Sequence, residues 1–135
     1  MTPDMAFPNA IHPSAQVGKN VRLGQGNVVM AGAVLNSNTT VGDFCILNTN
    51  CSVDHDSKLG DFVSFAPNSC AGGEVEVGDY TAVCLGANII HQIRIGPHTV
   101  VGAGATVLDD LPPNTVAYGT PARKVRDRRA GDKYM

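Results

Sequence analysis

The chain has 135 residues, 43% of them hydrophobic and 5% aromatic with no tryptophan, which suits one domain with a narrow aliphatic core and leaves no room for a second. A formal net charge of −2 exerts no general pull on nucleic acid or on an anionic membrane. No apolar run is long enough for a signal peptide or a membrane span, so a cytoplasmic location is expected.

Residues 1–10 carry two prolines and no periodicity, and are expected to form an irregular cap. From Ile11 an aliphatic or aromatic residue returns at every sixth position without an insertion, through Val17, Leu23 and Val29 up to Val101 and Val107, and only Ala71 in that series is small. A helix face needs spacings of three and four and a strand face a spacing of two, so a strict six belongs to a stacked repeat. The residue four places after each aliphatic one is small or β-branched in most hexads, as at Ala33, Thr39, Cys45, Cys51 and Ser57. Alternation along a short strand turns it inward together with the next aliphatic residue. The remaining residues must turn. The first turn position holds Gly18, Gly24, Gly42, Gly60, Gly72, Gly78, Gly96 and Gly102, with Asn36, Asn48 and Asp54. These residue types accept a left-handed backbone, which is therefore expected there. Three strands and three corners close a triangular coil of about eighteen residues, so that residues eighteen apart stack with a rise of roughly 4.8 Å. Asn27 and Met30 are the misfits in the lower coils.

The middle of the repeat, residues 47–73, gathers Asn48, Asn50, Asp54, His55 and Asp56 into its densest polar cluster. An imidazole beside a carboxylate is held in one tautomer, and its pKa near neutrality lets it take a proton from an amine or hydroxyl. The same spacing also suits a solvated corner histidine between two acids. By the eighteen-residue rule Gly73 stacks on His55 and His91 on Gly73, and the missing side chain at Gly73 is expected to leave a slot for a linear ligand. His12 and His98 share no corner with these and read as structural or exposed. Cys45 and Cys51 fall at inward positions. With no Cys-x-x-Cys, all four cysteines, including Cys70 and Cys84, are expected to be reduced. Pro112-Pro113 ends the coils. Residues 113–135 form a basic tail, expected as a short helix or as disorder, in which Arg123, Lys124, Arg126, Arg128, Arg129 and Lys133 outnumber Asp127 and Asp132.

Several stretches together resemble one family. They are the opening Ile11-His12-Pro13-Ser14-Ala15, the run from Asn48 through the Asp54-His55-Asp56 block to Gly73, and the endings around Val101–Ala105 and Gly119–Ala122. The chain is similar to the hexapeptide-repeat acyltransferases, in particular the sialic acid O-acetyltransferase and bacterial amino-sugar N-acetyltransferase family. The resemblance implies an all-β left-handed parallel β-helix over residues 11–112, of about five to six coils. It implies a homotrimer that binds acetyl-CoA, with no metal, in clefts between neighbouring subunits, and a sugar acceptor.

His55 is then the general base and Asp56 orients it. Gly73, His91 and Ala103 line the pantetheine arm, and Arg123 and Lys124 suit the phosphates of CoA. Asn48, Asn50 and Ser64 contact the acceptor. Ser64 stands where some relatives carry a second histidine, which leaves acetyl positioning to backbone amides. Typical members carry an N-terminal nucleotide-sugar-binding domain, for which this chain has no counterpart, so the trimer cleft is expected to hold the acceptor. Two other readings stay open. A γ-class carbonic anhydrase shares the thirty-six-residue spacing of His55 and His91 but wants a third histidine at the position of Gly96, and two histidines two coils apart cannot share one zinc. A non-catalytic trimeric scaffold would make His55 dispensable.

Overall fold

The computed structural model describes residues 6–129. It is a β-solenoid of about six turns, matching the left-handed β-helix that the family resemblance implies, with no helix among the described residues. Among these residues nineteen strands, numbered in chain order, form three sheets. Sheet A stacks β1 (Ala10–Ile11), β4 (Val28–Val29), β7 (Ile46–Leu47), β10 (Ser64–Phe65), β13 (Ala82–Val83) and β16 (Val100–Val101). Sheet B stacks β2 (Gln16–Val17), β5 (Val34–Leu35), β8 (Ser52–Val53), β11 (Cys70–Ala71), β14 (Asn88–Ile89) and β17 (Thr106–Val107). Sheet C stacks β3 (Arg22–Leu23), β6 (Thr40–Val41), β9 (Lys58–Leu59), β12 (Glu76–Val77) and β15 (Arg94–Ile95). Pairing is parallel and in register at an offset of eighteen, as in Phe65 opposite both Leu47 and Val83.

The second residue of each two-residue strand points inward and, from Val29 upward, is buried. Each such aliphatic side chain contributes about 1.5–3 kcal/mol on burial. The small inward residues that are polar spend their polar atoms on backbone: Thr39 Oγ1 donates to Asp54 O at 2.9 Å, Thr81 Oγ1 to Gly96 O at 2.8 Å, and Asn27 Nδ2 to Gly42 O at 2.9 Å while its Oδ1 accepts from Cys45 N at 2.8 Å. Asn27 is thus an inward member of the series. At the base Ile11 and Val17 remain 44% and 42% exposed among the described residues, and Phe7 and Asn9 bond the corner between sheets C and A at Gly24, Gln25, Gly26 and Asn27.

The left-handed residues lie two places later than expected, at Asn20, Gly26, Gly32, Asn38, Phe44, Asn50, Asp56 and their successors up the stack. Glycine at the first turn position answers another demand, the close approach of coils. A Cβ on Gly42 would stand 2.7 Å from Gly60 O, and one on Gly72 would stand 2.7 Å from His91 N. Phe44, Phe62 and Tyr80 adopt φ of 55°, 57° and 61°, where a bulky side chain costs on the order of 1–3 kcal/mol. Their rings stack in a ladder with His98, at 5.4, 4.9 and 4.9 Å between centroids, and each pair returns about 0.5–1.5 kcal/mol.

The segment after Pro113 is neither helix nor disorder where it is described. β18 (Thr115–Gly119) adds to sheet A in parallel beside β16, and β19 (Ala122–Asp127) returns antiparallel to it. Ala117 and Ala122 join the core cluster and close the top of the prism, so pairing overrides the charged composition of β19. Arg128 Nη1 then donates to Tyr80 O at 2.9 Å. Lys133 and Asp132 lie outside the described residues, as do residues 1–5 of the N-terminal cap.

All four thiols are free. Burial pushes Cys45 up to about 11 and Cys51 up to about 12, and it raises Cys84 and Cys70 as well. Native protein at pH 8 should therefore alkylate first at Cys70, the one thiol that is not fully buried, while Cys45 and Cys51 react only after denaturant is added. Mass spectrometry of timed iodoacetamide labelling checks this.

Candidate functional site

The prism has three vertices, each named here by the sheets it joins. The B–C vertex carries the column Asp54-His55-Asp56, Gly72-Gly73-Glu74 and Ile90-His91-Gln92, one coil above another. The backbone fixes this register: Glu74 N donates to His55 O at 2.9 Å and Gln92 N to Gly73 O at 2.9 Å. Asp54 caps the turn locally. Its Oδ1 accepts from His55 N and from Asn36 Nδ2, both at 2.8 Å, and these bonds, that of His55 N first, hold its carboxyl below the usual range.

His55 Nδ1 lies 2.9 Å from Asp56 Oδ2, and both side chains are half-exposed. An ionised carboxylate only accepts, so Nδ1 carries the hydrogen and Nε2 keeps a lone pair in the neutral ring. Asp56 reaches this position from a left-handed backbone, φ 58°, which an aspartate tolerates better than most residues. The Asp56 hydrogen bond, and then the charges of Asp54, Asp56 and Glu74, raise the His55 pKa above its ordinary value. The arrangement is an oriented imidazole with one free nitrogen, placed to exchange a proton with a molecule outside the coil.

The slot expected over Gly73 is not empty. A Cβ on Gly73 would meet His55 Nε2 at 2.5 Å and Cε1 at 2.7 Å, so the imidazole itself occupies the space. Gly73 is required there because His55 folds up over it. His91 sits one coil higher on the same vertex and is exposed.

The other sequence candidates lie elsewhere in the chain. Asn48, Asn50 and Ala103 occupy the A–B vertex, at the far edge of sheet B from His55, and Ser64 opens β10 on the outer face of sheet A. Asn48 Oδ1 accepts from Thr49 N at 2.7 Å, and Asn50 takes a left-handed φ of 57°. Arg123 and Lys124 are on β19 at the top, with Arg123 Nη1 4.0 Å from Asp109 Oδ2 and Lys124 Nζ 2.6 Å from Asp127 Oδ1. One chain therefore brings together His55, Asp56, Gly73 and His91, and keeps the remainder on other faces.

Two features were missed from the sequence. Glu74 and Gln92 stack over Asp56 and face a shared hollow with it, which the eighteen-residue rule applied to Asp56 would have found. The second is a segregation of charge. Every charged side chain between Phe7 and Leu108 lies on sheet C (Arg22, Lys58, Glu76, Arg94), on the B–C vertex (Lys19, Asp54, Asp56, Glu74) or on the C–A vertex (Asp43, Asp61, Asp79). Within that span, below β18 and β19, the outer faces of sheets A and B and the vertex between them carry none, and they expose Val28, Met30, Ile46 and Leu85. No helix among the described residues is long and apolar enough to cross a membrane, and no group of three or more His, Cys, Asp or Glu side chains among them could hold a metal ion.

No family model matches the sequence, and a comparison with curated proteins finds no match. Solved structures do match. A histidine-to-alanine mutant of GDP-perosamine N-acetyltransferase from Caulobacter crescentus, in complex with CoA and GDP-perosamine, is 43% identical over 90% of this chain, with a TM-score of 0.89. The acetyltransferase domain of PglB from Neisseria gonorrhoeae, in complex with acetyl coenzyme A, is 34% identical over 90% of this chain, also with a TM-score of 0.89. WeeI from Acinetobacter baumannii is 29% identical over 85%, with a TM-score of 0.84. This chain spans only 58%, 60% and 57% of the lengths of those three chains. Two of these structural neighbours are thus acetyltransferases, one of them acting on an amino sugar, with CoA bound in one and acetyl-CoA in the other.

Proposed function

We propose that this chain, a hexapeptide-repeat protein with the coil of those sugar acetyltransferases, transfers the acetyl group of acetyl-CoA to the amine of an amino sugar, with His55 as general base. The observation that carries the reading is the His55–Asp56 pair, with Nδ1 anchored at 2.9 Å and Nε2 left free. In the reaction the acceptor nitrogen attacks the thioester carbonyl carbon and His55 Nε2 takes the proton it sheds. The C–N bond forms, the C–S bond breaks, and the imidazolium returns its proton to the departing CoA thiolate. Asp56 keeps the ring in the tautomer that this needs and stabilises the imidazolium.

The acceptor class is carried over from the relative that binds GDP-perosamine, and the co-substrate from those with CoA and acetyl-CoA bound. A homotrimer accords with the neutral faces of sheets A and B. Surfaces free of charge with exposed Val28, Met30, Ile46 and Leu85 are what a subunit buries at least cost against its own copies. Assembly would also let Asn48, Asn50 and Ser64 of one copy approach His55 of the next, which no single chain allows. Ala103 would then line the CoA arm from the same wall, with Gly73 and His91 on the other, and Arg123 and Lys124 at the top would receive the CoA phosphates.

Calorimetric titration with acetyl-CoA, followed by an assay with GDP-perosamine and glucosamine as acceptors, tests the reading. Saturable binding at one site per chain with acetylation of either amine supports it. A protein that binds no acetyl-CoA leaves the scaffold. The pH profile gives a further prediction. Below its pKa the ring holds a proton and cannot act as base, and the Asp56 hydrogen bond holds that pKa above the ordinary imidazole value. Turnover should climb with pH as the ring gives up its proton, and Asp56→Asn, by removing the bond that raises the pKa most, should move that limb to lower pH while reducing kcat. A limb unmoved in the variant would detach Asp56 from the titration.

A further inference from the structure

From Asn20 to Gly104 every sixth residue is left-handed, and the three vertices fill these places differently. On the A–B vertex they hold Gly32, Asn50, Asn68, Gly86 and Gly104, the residue types that the conformation strains least. On the C–A vertex Phe44, Phe62, Tyr80 and His98 are compensated by their stacked rings. On the B–C vertex the column begins with Asn20 and Asn38 and continues with Asp56, Glu74 and Gln92. The long side chains of Glu74 and Gln92 do nothing to ease a left-handed backbone. Gln92 Nε2 lies 3.5 Å from Glu74 Oε2, the outer limit of a hydrogen bond, which is far less than the rings return to one another. Strain kept without local compensation points to a use at that position.

The position adjoins the base. His55 is held by Asp56 at Nδ1 and folds over Gly73, where a Cβ would stand 2.5 Å from Nε2. Glu74 is the next residue. It walls one hollow together with Asp56, and its N–H donates to His55 O at 2.9 Å. The charges that act on the ring are those of Asp54, Asp56 and Glu74. Lys58 and Arg94 wall the same hollow from sheet C, with Arg94 Nε 3.2 Å from Glu76 Oε2. His91 stands one coil above Gly73, and the sheet B side presents Ser52, Cys70 and Asn88, none of them charged.

We propose that Glu74 is a second positioning residue for the base: one coil above Asp56 and braced by Gln92, its carboxylate steadies the imidazolium from the Nε2 end while Asp56 holds Nδ1. The use of this in turnover rests on the acetyltransferase reading. A fixed carboxylate gains attraction only once Nε2 has taken a proton, so Glu74 acts on the protonated ring rather than on either substrate. The chain thereby keeps an acid where asparagine would fold better, which is stability given up for activity.

Proton NMR titration of the His55 Cε1–H, assigned by its loss in His55→Ala, reads the ring in the full chain with no substrate present. Glu74→Gln removes the charge and keeps the shape and the strain. The ring should then titrate at lower pH than in the wild type, though displaced less than in Asp56→Asn, where the strongest influence is lost. In steady state the same variant should lower kcat about two- to fivefold, the scale of an exposed charge pair, with KM for acetyl-CoA and for glucosamine unchanged. Glu74→Asn removes charge and strain together, so it should show the same displaced titration and melt about 2–6 °C higher. An unmoved titration in Glu74→Gln overturns the proposal. A Glu74→Asn protein that melts below the wild type also overturns it, by making Glu74 part of the coil's own stability. So does a raised acceptor KM at unchanged kcat, which would make Glu74 a binding residue. A titration that moves in Glu74→Gln, in a protein whose wild type transfers no acetyl group, supports the coupling and overturns the acetyltransferase reading beneath it.

Discussion

His55→Ala lowers turnover by about two to four orders of magnitude, the usual contribution of a positioned general base, and leaves the coil folded. The fold is spared because the imidazole is half-exposed and lies on the outside of a vertex, while its backbone N–H and carbonyl are held by Asp54 Oδ1 and Glu74 N, which alanine retains. Acetyl-CoA affinity should change little, since the ring acts on a proton rather than on the co-substrate's bulk. Single-turnover rates and a circular dichroism melt on the same sample separate the two effects. Turnover within a factor of a few of wild type would remove His55 from the mechanism.

The second large effect concerns the core. Phe65 is the one aromatic side chain in the inward column, fully buried between Leu47 below and Val83 above. Phe65→Ala should cost about 3–5 kcal/mol of unfolding free energy, because the neighbours are fixed by their own coils and cannot close the cavity. In a stacked repeat each coil is stabilised chiefly by the two it touches, so the loss falls at the junction between lower and upper halves. Urea unfolding should show a lowered midpoint. A decrease below about 1 kcal/mol would mean that the column relaxes as a liquid-like core does, contrary to close packing.

The repeat was legible because one demand recurs at every hexad: an inward aliphatic residue at the end of a two-residue strand. Stacking at eighteen followed from three strands per coil, and with it the alignment of His55, Gly73 and His91. Turn geometry was misread because glycine answers two different needs. At Gly42 and Gly72 it admits a neighbouring coil, and the left-handed conformation falls two residues later, on Phe44 and Glu74. Intrinsic preference argues against an aromatic residue there, and only the ladder compensates. The signal was present as Gly42-Asp43-Phe44, Gly60-Asp61-Phe62 and Gly78-Asp79-Tyr80, repeated at eighteen.

The tail was misread for a similar reason. Ala122–Asp127 is charged enough to suggest helix or disorder, yet β18 offers it an edge to pair with. At the candidate site the His55–Asp56 pair could be seen in one dimension. The hollow beside it could not, since Glu74 and Gln92 are far from Asp56 in sequence and meet it only through the stack.

The separation of charged from neutral faces also sets how such a chain can change length. Adding or losing eighteen residues shifts every later residue by one coil and returns it to its own sheet. Losing six advances everything beyond the cut by a third of a turn, so that Lys58, Glu76 and Arg94 would take the places now held by Ser52, Cys70 and Asn88. The hexad would survive such a deletion, and so would the core. The surface would not, and a lineage that needs its neutral sides neutral can lengthen or shorten this coil only in whole turns.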